Sequence, residues 1–75
     1  MFETVKNLLV DEMQVDAGAV TMDAELVNDL GINSLELADL VMICEEKFKV
    51  EIKDEDIHKF ITVGDVVRFL EEQTA

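Results

Sequence analysis

Among the side chains able to take part in chemistry, Ser34 holds the most suggestive position. In Asn33-Ser34-Leu35-Glu36, an asparagine that caps helices well is followed three residues later by a glutamate, the arrangement of a capping box. Ser34 then takes the first position of a helix, shortly after the flexible Gly31, where its hydroxyl is expected to be accessible. A phosphate joined there would meet unpaired backbone N–H groups and the positive end of the helix dipole, favourable by about 0.3–1 kcal/mol at an exposed end. Position alone favours the plainer account of a serine that merely starts a helix. Other chemistry is scarce. The sole histidine, His58, sits among Asp56, Lys59 and Phe60 with nothing to bring it to a serine, so an autonomous Ser/His/Asp hydrolase is disfavoured and no catalytic residue is assigned. One cysteine and one histidine cannot assemble a usual zinc site, and Asp23 to Gly31 and Asp54 to Asp56 lack the ligand alternation of a calcium loop, so no metal ligands are assigned either.

The elements that must position Ser34 read as helices. Phe2, Val5, Leu9 and Met13, widened by Leu8, recur at helical spacing and predict a first helix over roughly Phe2 to Gln14. Periodicity then breaks around Gly18 and Gly31, giving a long structured connection pinned by Val20, Met22, Leu26, Val27 and Leu30, with room for one helical turn near Glu25 to Leu30. The second helix begins at Asn33. Its inward stripe is Leu37, Leu40, Val41, Cys44 and Phe48, and its other side carries Glu36, Asp39, Met42, Ile43 and Glu46. After a short extended link at Val50 to Lys53, Asp54-Glu55-Asp56 is an acidic start for a brief third helix containing Ile57 and reaching towards Phe60. Thr62 and Asp65 form a second capping box, and Val63, Val66, Val67 and Leu70 predict a fourth helix. The expectation is an all-α fold, a small four-helix bundle with a long loop between helices 1 and 2 and a short third helix.

Composition narrows the partners. Seventy-five residues, 49% of them hydrophobic, can bury one core but not two, so residues 1–75 form a single domain. Eighteen Asp and Glu against 6 Lys and Arg give a net charge of -12, which repels nucleic acid and anionic lipid and attracts basic protein surfaces. A monomer suits that self-repulsion. Cys44 has no partner for an intramolecular disulfide, and neither a signal peptide nor a membrane-inserting segment is evident, so a cytoplasmic setting is expected.

A further pattern surrounds Ser34. Asp29-Leu30-Gly31-Ile32-Asn33-Ser34-Leu35-Glu36-Leu37 resembles the modification segment of acyl carrier proteins, usually Asp-Leu-Gly-x-Asp-Ser-Leu. Val20-Thr21-Met22-Asp23 upstream, and Leu40-Val41-Met42, Glu45-Glu46-Lys47-Phe48, Val50-Glu51-Ile52, Asp54-Glu55-Asp56 and Thr62-Val63-Gly64-Asp65-Val66 downstream, are similar to the same family in the right order. The resemblance spans nearly the whole chain and outweighs the plain account of Ser34.

What the resemblance implies is a carrier rather than an enzyme. Its cofactor would be 4'-phosphopantetheine, moved from coenzyme A to Ser34 by a separate magnesium-dependent phosphopantetheinyl transferase. Acyl groups would then travel as thioesters on that arm, with fatty acid biosynthesis the expected pathway. Polyketide or other specialised acyl synthesis is the near alternative, and an unmodified acidic interaction module of the same fold is the rival. Asn33, Leu35, Glu36, Asp39, Met42, Glu45 and Glu46 would face partners, namely acyl transferases and synthases with basic docking surfaces. Leu40, Val41, Cys44, Ile52, Ile57 and Phe60 would line an acyl pocket, although Cys44 and its neighbours on the stripe also read as ordinary core. The sequence departs from the family at Asn33, usually aspartate; at Met22 and Lys53, often proline; and at Phe60, usually a smaller aliphatic.

Overall fold

The expected stripes become helices in a computed structural model of the chain, which describes residues 1–74. Helix α1, Phe2–Met13, buries Val5, Leu8 and Leu9. It stops one residue short of the expected end, because Gln14 turns left-handed (φ 55°) and donates its backbone N–H to the Leu9 carbonyl. Helix α2, Ser34–Phe48, buries Leu40, Val41 and Cys44, with Leu37 and Phe48 half-buried beside them. Ile43 departs from its expected outward place and packs half-buried against the core. Since α2 packs against α1 as well as over the interior, its apolar arc is wider than one stripe. Helix α3, Asp54–Ile57, is a single turn that ends before Phe60, which is nevertheless buried. Helix α4, Val63–Thr74, presents Val63, Val66, Val67 and Leu70 to the interior and packs against α1.

The long connection is ordered by its own contacts. Asp16 caps a 3₁₀ turn, Ala17–Ala19, by accepting the Gly18 N–H at 3.1 Å. The helical turn anticipated near Glu25 forms once, with Asp29 and Leu30 donating to the Glu25 carbonyl at 2.9 and 3.0 Å, and does not propagate. Val20 and Leu26 are buried as expected of pins, joined by Ala24 and Ile32, whereas Met22 and Val27 are exposed. Backbone bonds then stitch the loop to the start of α4: Leu26 N–H to the Ile61 carbonyl, Val63 N–H to that of Ala24, and Gly64 N–H to that of Met22, each 2.9 Å. Gly64 permits this approach, because a β-carbon there would sit 2.9 Å from the Met22 carbonyl oxygen. An isolated antiparallel bridge, Glu25 with Thr62, marks the same seam.

All-α architecture follows, with a core of apolar side chains and no buried polar side chain among the described residues. No helix among them is long and apolar enough to cross a membrane.

Candidate functional site

Ser34 is exposed at the first position of α2. Immediately before it, Asn33 Oδ1 accepts the Glu36 N–H at 2.9 Å and Glu36 Oε1 accepts the Asn33 N–H at 3.1 Å. Asparagine thus performs the capping that the family's aspartate would, without its charge. Gly31, at φ 69°, turns the chain into this cap, and buried Ile32 fastens it by donating to the Leu26 carbonyl at 2.9 Å. The serine hydroxyl is therefore carried on a fixed backbone, and the N–H groups of Ser34 and Leu35 belong to the helix turn that has no intrahelical acceptor.

Beside the hydroxyl opens a cleft of about 350 Å³ lined by Ser34, Leu37 and Ala38 of α2, by Ile57 and His58 of α3 and its end, and by Phe60. Of the side chains expected around an acyl chain, Ile57 and Phe60 line this cleft, while Leu40, Val41, Cys44 and Ile52 are buried in the core. Phe60 meets Phe69 edge-to-face, with ring centroids 5.4 Å apart, and also lines a more polar groove of about 340 Å³ between α3 and α4. Its ring is common to both depressions. Leu37, Ala38 and His58 were not anticipated as lining. Leu37 and Ala38 lie one turn beyond Ser34 on the same helix, a spacing that could have revealed them. His58 is placed by the turn between α3 and α4, which leaves no sequence signal.

The acidic side of α2 is less uniform than its sequence. Asp39, Met42 and Glu46 are exposed, and Leu35 is 79% exposed. Glu36 is engaged in the cap, and Glu45 accepts the Ile52 N–H at 2.9 Å, tying α2 to the link before α3. Asp39, Met42 and Glu46 share a groove of about 270 Å³ with Ile43 and with Glu12 and Met13 of α1. Those α1 residues extend the face in a way only packing reveals. Ion pairing among the described residues occurs instead on α4, where Arg68 meets Asp65 at 2.9 Å.

Cys44 is 1% exposed, and burial, helped by the neighbouring Glu45 charge, pushes its thiol pKa up to about 11. It is a packed apolar side chain with little thiolate character.

An exposed serine at a capped helix start, with an apolar cleft alongside, fits a covalently attached phosphodiester arm. Residues 3–70 match the family described as a phosphopantetheine attachment site. Acyl carrier proteins of Helicobacter pylori strain G27 and of Helicobacter acinonychis strain Sheeba are 46% and 44% identical over 72 residues, 96% of this chain and 92% of each relative. The site and these likenesses agree, and the chain belongs to the acyl carrier protein family, whose prosthetic group is covalently bound 4'-phosphopantetheine.

Proposed function

We propose that Ser34 is the attachment point of 4'-phosphopantetheine and that the protein carries acyl intermediates of fatty acid biosynthesis as thioesters. The observation that carries this reading is the exposed Ser34 hydroxyl, held by the Asn33–Glu36 box at the mouth of an apolar cleft. The arm supplies the thiol on which acyl groups are held. This chain's own residues fix the attachment geometry, present a docking face and shelter cargo, and a separate phosphopantetheinyl transferase provides the catalysis. The pathway rests on likeness to relatives of nearly the same length named acyl carrier proteins.

Docking would use Asn33, Leu35, Glu36, Asp39, Met42, Glu45 and Glu46, with exposed Leu35 and Met42 among the carboxylates. Exposed ion pairs contribute about 0–1 kcal/mol each, so contacts with basic transferase and synthase surfaces are weak, fast and salt-sensitive, as a shuttle requires. Cargo would enter between Ile57 and Phe60, with Leu40, Val41, Cys44 and Ile52 as the apolar wall behind them. The protein is read as a one-domain cytoplasmic monomer without catalytic activity.

Intact mass before and after incubation with coenzyme A, magnesium and a broad-specificity phosphopantetheinyl transferase tests the assignment. A gain of one phosphopantetheine, absent in Ser34→Ala, is expected. No gain with the transferase of the protein's own organism would favour the unmodified interaction module. Charging of the loaded protein by a fatty-acid malonyl transferase separates the fatty acid pathway from polyketide or other specialised acyl synthesis.

A further inference from the structure

We propose that His58 holds the phosphodiester of the prosthetic arm through an imidazole N–H and so orients the arm where it leaves the Ser34 position. The proposal rests on the reading that Ser34 bears the arm. Ser34 at the start of α2 and His58 just after α3 line the same cleft, and the remaining lining, Leu37, Ala38, Ile57 and Phe60, offers no side-chain hydrogen-bond donor. A phosphate on Ser34 that turns towards the apolar cleft would give up water on that side, and an imidazole N–H is the side-chain donor positioned to replace it. The backbone that carries the ring is fixed: His58 donates its N–H to the Asp54 carbonyl at 3.2 Å, and Ile57 donates to that of Lys53 at 3.1 Å.

Charge adds direction. None of the six Lys and Arg side chains lines this cleft, and the protein carries a net -12, so a phosphodiester there is an anion among anions. The α2 side of the cleft presents no ionisable group. On α3, Asp54 and Glu55 are exposed to solvent, while Asp56 and, just after the helix, Lys59 line the separate groove with Asp65 and Arg68. An imidazole keeps a ring N–H to donate whether it is neutral or protonated.

Phosphorus NMR of the loaded protein tests this directly. A phosphodiester has no proton to lose near neutral pH, so any movement of its resonance there reports a neighbouring group. His58 is the only histidine, which makes its imidazole proton resonances unambiguous. Wild type and His58→Gln are loaded, with intact mass and the Ser34→Ala control establishing attachment, and are titrated from about pH 5 to 8. The expected result is a phosphorus resonance that shifts in step with the imidazole protons in wild type and stays flat in His58→Gln. A flat wild-type resonance, or an unchanged titration in the variant, overturns the role of His58 while leaving the attachment site intact. Absence of the mass gain, or its persistence in Ser34→Ala, fails the attachment reading itself and the role of His58 with it.

Discussion

At the start of α2, Asn33 and Glu36 exchange side-chain and backbone hydrogen bonds, and at the start of α4 Thr62 and Asp65 make the same exchange, at 3.2 Å to Thr62 Oγ1 and 3.0 Å to Asp65 Oδ2. The local device is common, but its surroundings differ. Around α4, the backbone N–H groups of Val63 and Gly64 are taken by carbonyls of the long loop, and Asp65 also accepts from Ile61 and Arg68. Around α2, the residue after the cap, Ser34, faces solvent and an open cleft. One helix start clamps the fold and the other is left available for chemistry. A capping box thus says where a helix begins, and tertiary packing decides whether that beginning is a joint or a site.

The largest expected effect concerns the two nucleophiles of α2. Cys44 lies in the core with its thiol pKa raised from 9.0 to about 11, which lowers its thiolate fraction at a given pH about a hundredfold before burial slows access further. An aromatic disulfide reagent at pH 8 should leave native unmodified protein unlabelled and label it fully in denaturant. Fast native labelling would remove the contrast between an accessible Ser34 and a sequestered Cys44.

Next comes Gly64→Ala. Its β-carbon would press on the Met22 carbonyl, which is backbone and cannot swing aside, so a loss of about 1–3 kcal/mol is expected in denaturant unfolding. Gly31→Ala meets no neighbouring atom but is strained at φ 69°, costing about 1–2 kcal/mol and acting on the approach to Ser34. Equal tolerance of both alanines would break the distinction between clamp and open end.

Charge reversal tests the functional side of the comparison. Asp39→Lys should slow transferase loading up to about tenfold, the consequence of replacing an attraction worth up to ~1 kcal/mol with a repulsion. Glu71→Lys, a reversal at another exposed position, on α4, should leave loading unchanged. Loading slowed alike by both would reduce the docking face to bulk charge. Circular dichroism on each variant confirms the fold.

Asp65 makes the clamp sensitive to acid. The Thr62 backbone N–H, foremost, with Ile61, Arg68 and the Thr62 hydroxyl, holds its carboxyl below the ordinary 3.8, against a smaller opposing effect of burial. A depressed folded-state value contributes stability that is present above the unfolded-state value and lost as pH falls through the folded one. Asp65→Ala should cost about 0.5–2 kcal/mol near neutrality, and the difference from wild type should shrink below about pH 4. Reading the difference between the proteins removes the opposing relief of repulsion among the other carboxylates. A constant difference down to acid would mean that the bonds do not need the charge.

Much of this was legible because it is local. Both capping boxes, the α1, α2 and α4 stripes and the Ser34 segment are written in residues three or four apart, the distance over which side chains and backbone meet along one helix. The seam between loop and α4 was not, since it consists of backbone bonds whose only side-chain trace is the missing β-carbon of Gly64. Phe60 was placed near a helix it does not join, because its burial comes from packing on Phe69 rather than from helical period. The same holds for the candidate site: Ser34 and Asn33 stand out in sequence, whereas Glu12, Met13 and His58 are brought in by helices and turns distant along the chain.

The smallest effect lies at the far end of α2, opposite its open start. Lys49 closes the helix in the left-handed region at φ 58° and donates its N–H to the Glu45 carbonyl. A β-carbon is unfavourable there and glycine is the usual occupant, so Lys49→Gly should stabilise the fold by a few tenths to about 1 kcal/mol, less the added freedom of the unfolded chain. Lys49 is also one of only six cations in a chain of net charge -12, and removing it adds to self-repulsion. The two contributions separate by salt: the gain should be largest at high ionic strength, where repulsion is screened and the backbone relief is not. A variant less stable than wild type even in high salt would show that the side chain of Lys49, not its backbone, secures this end of α2.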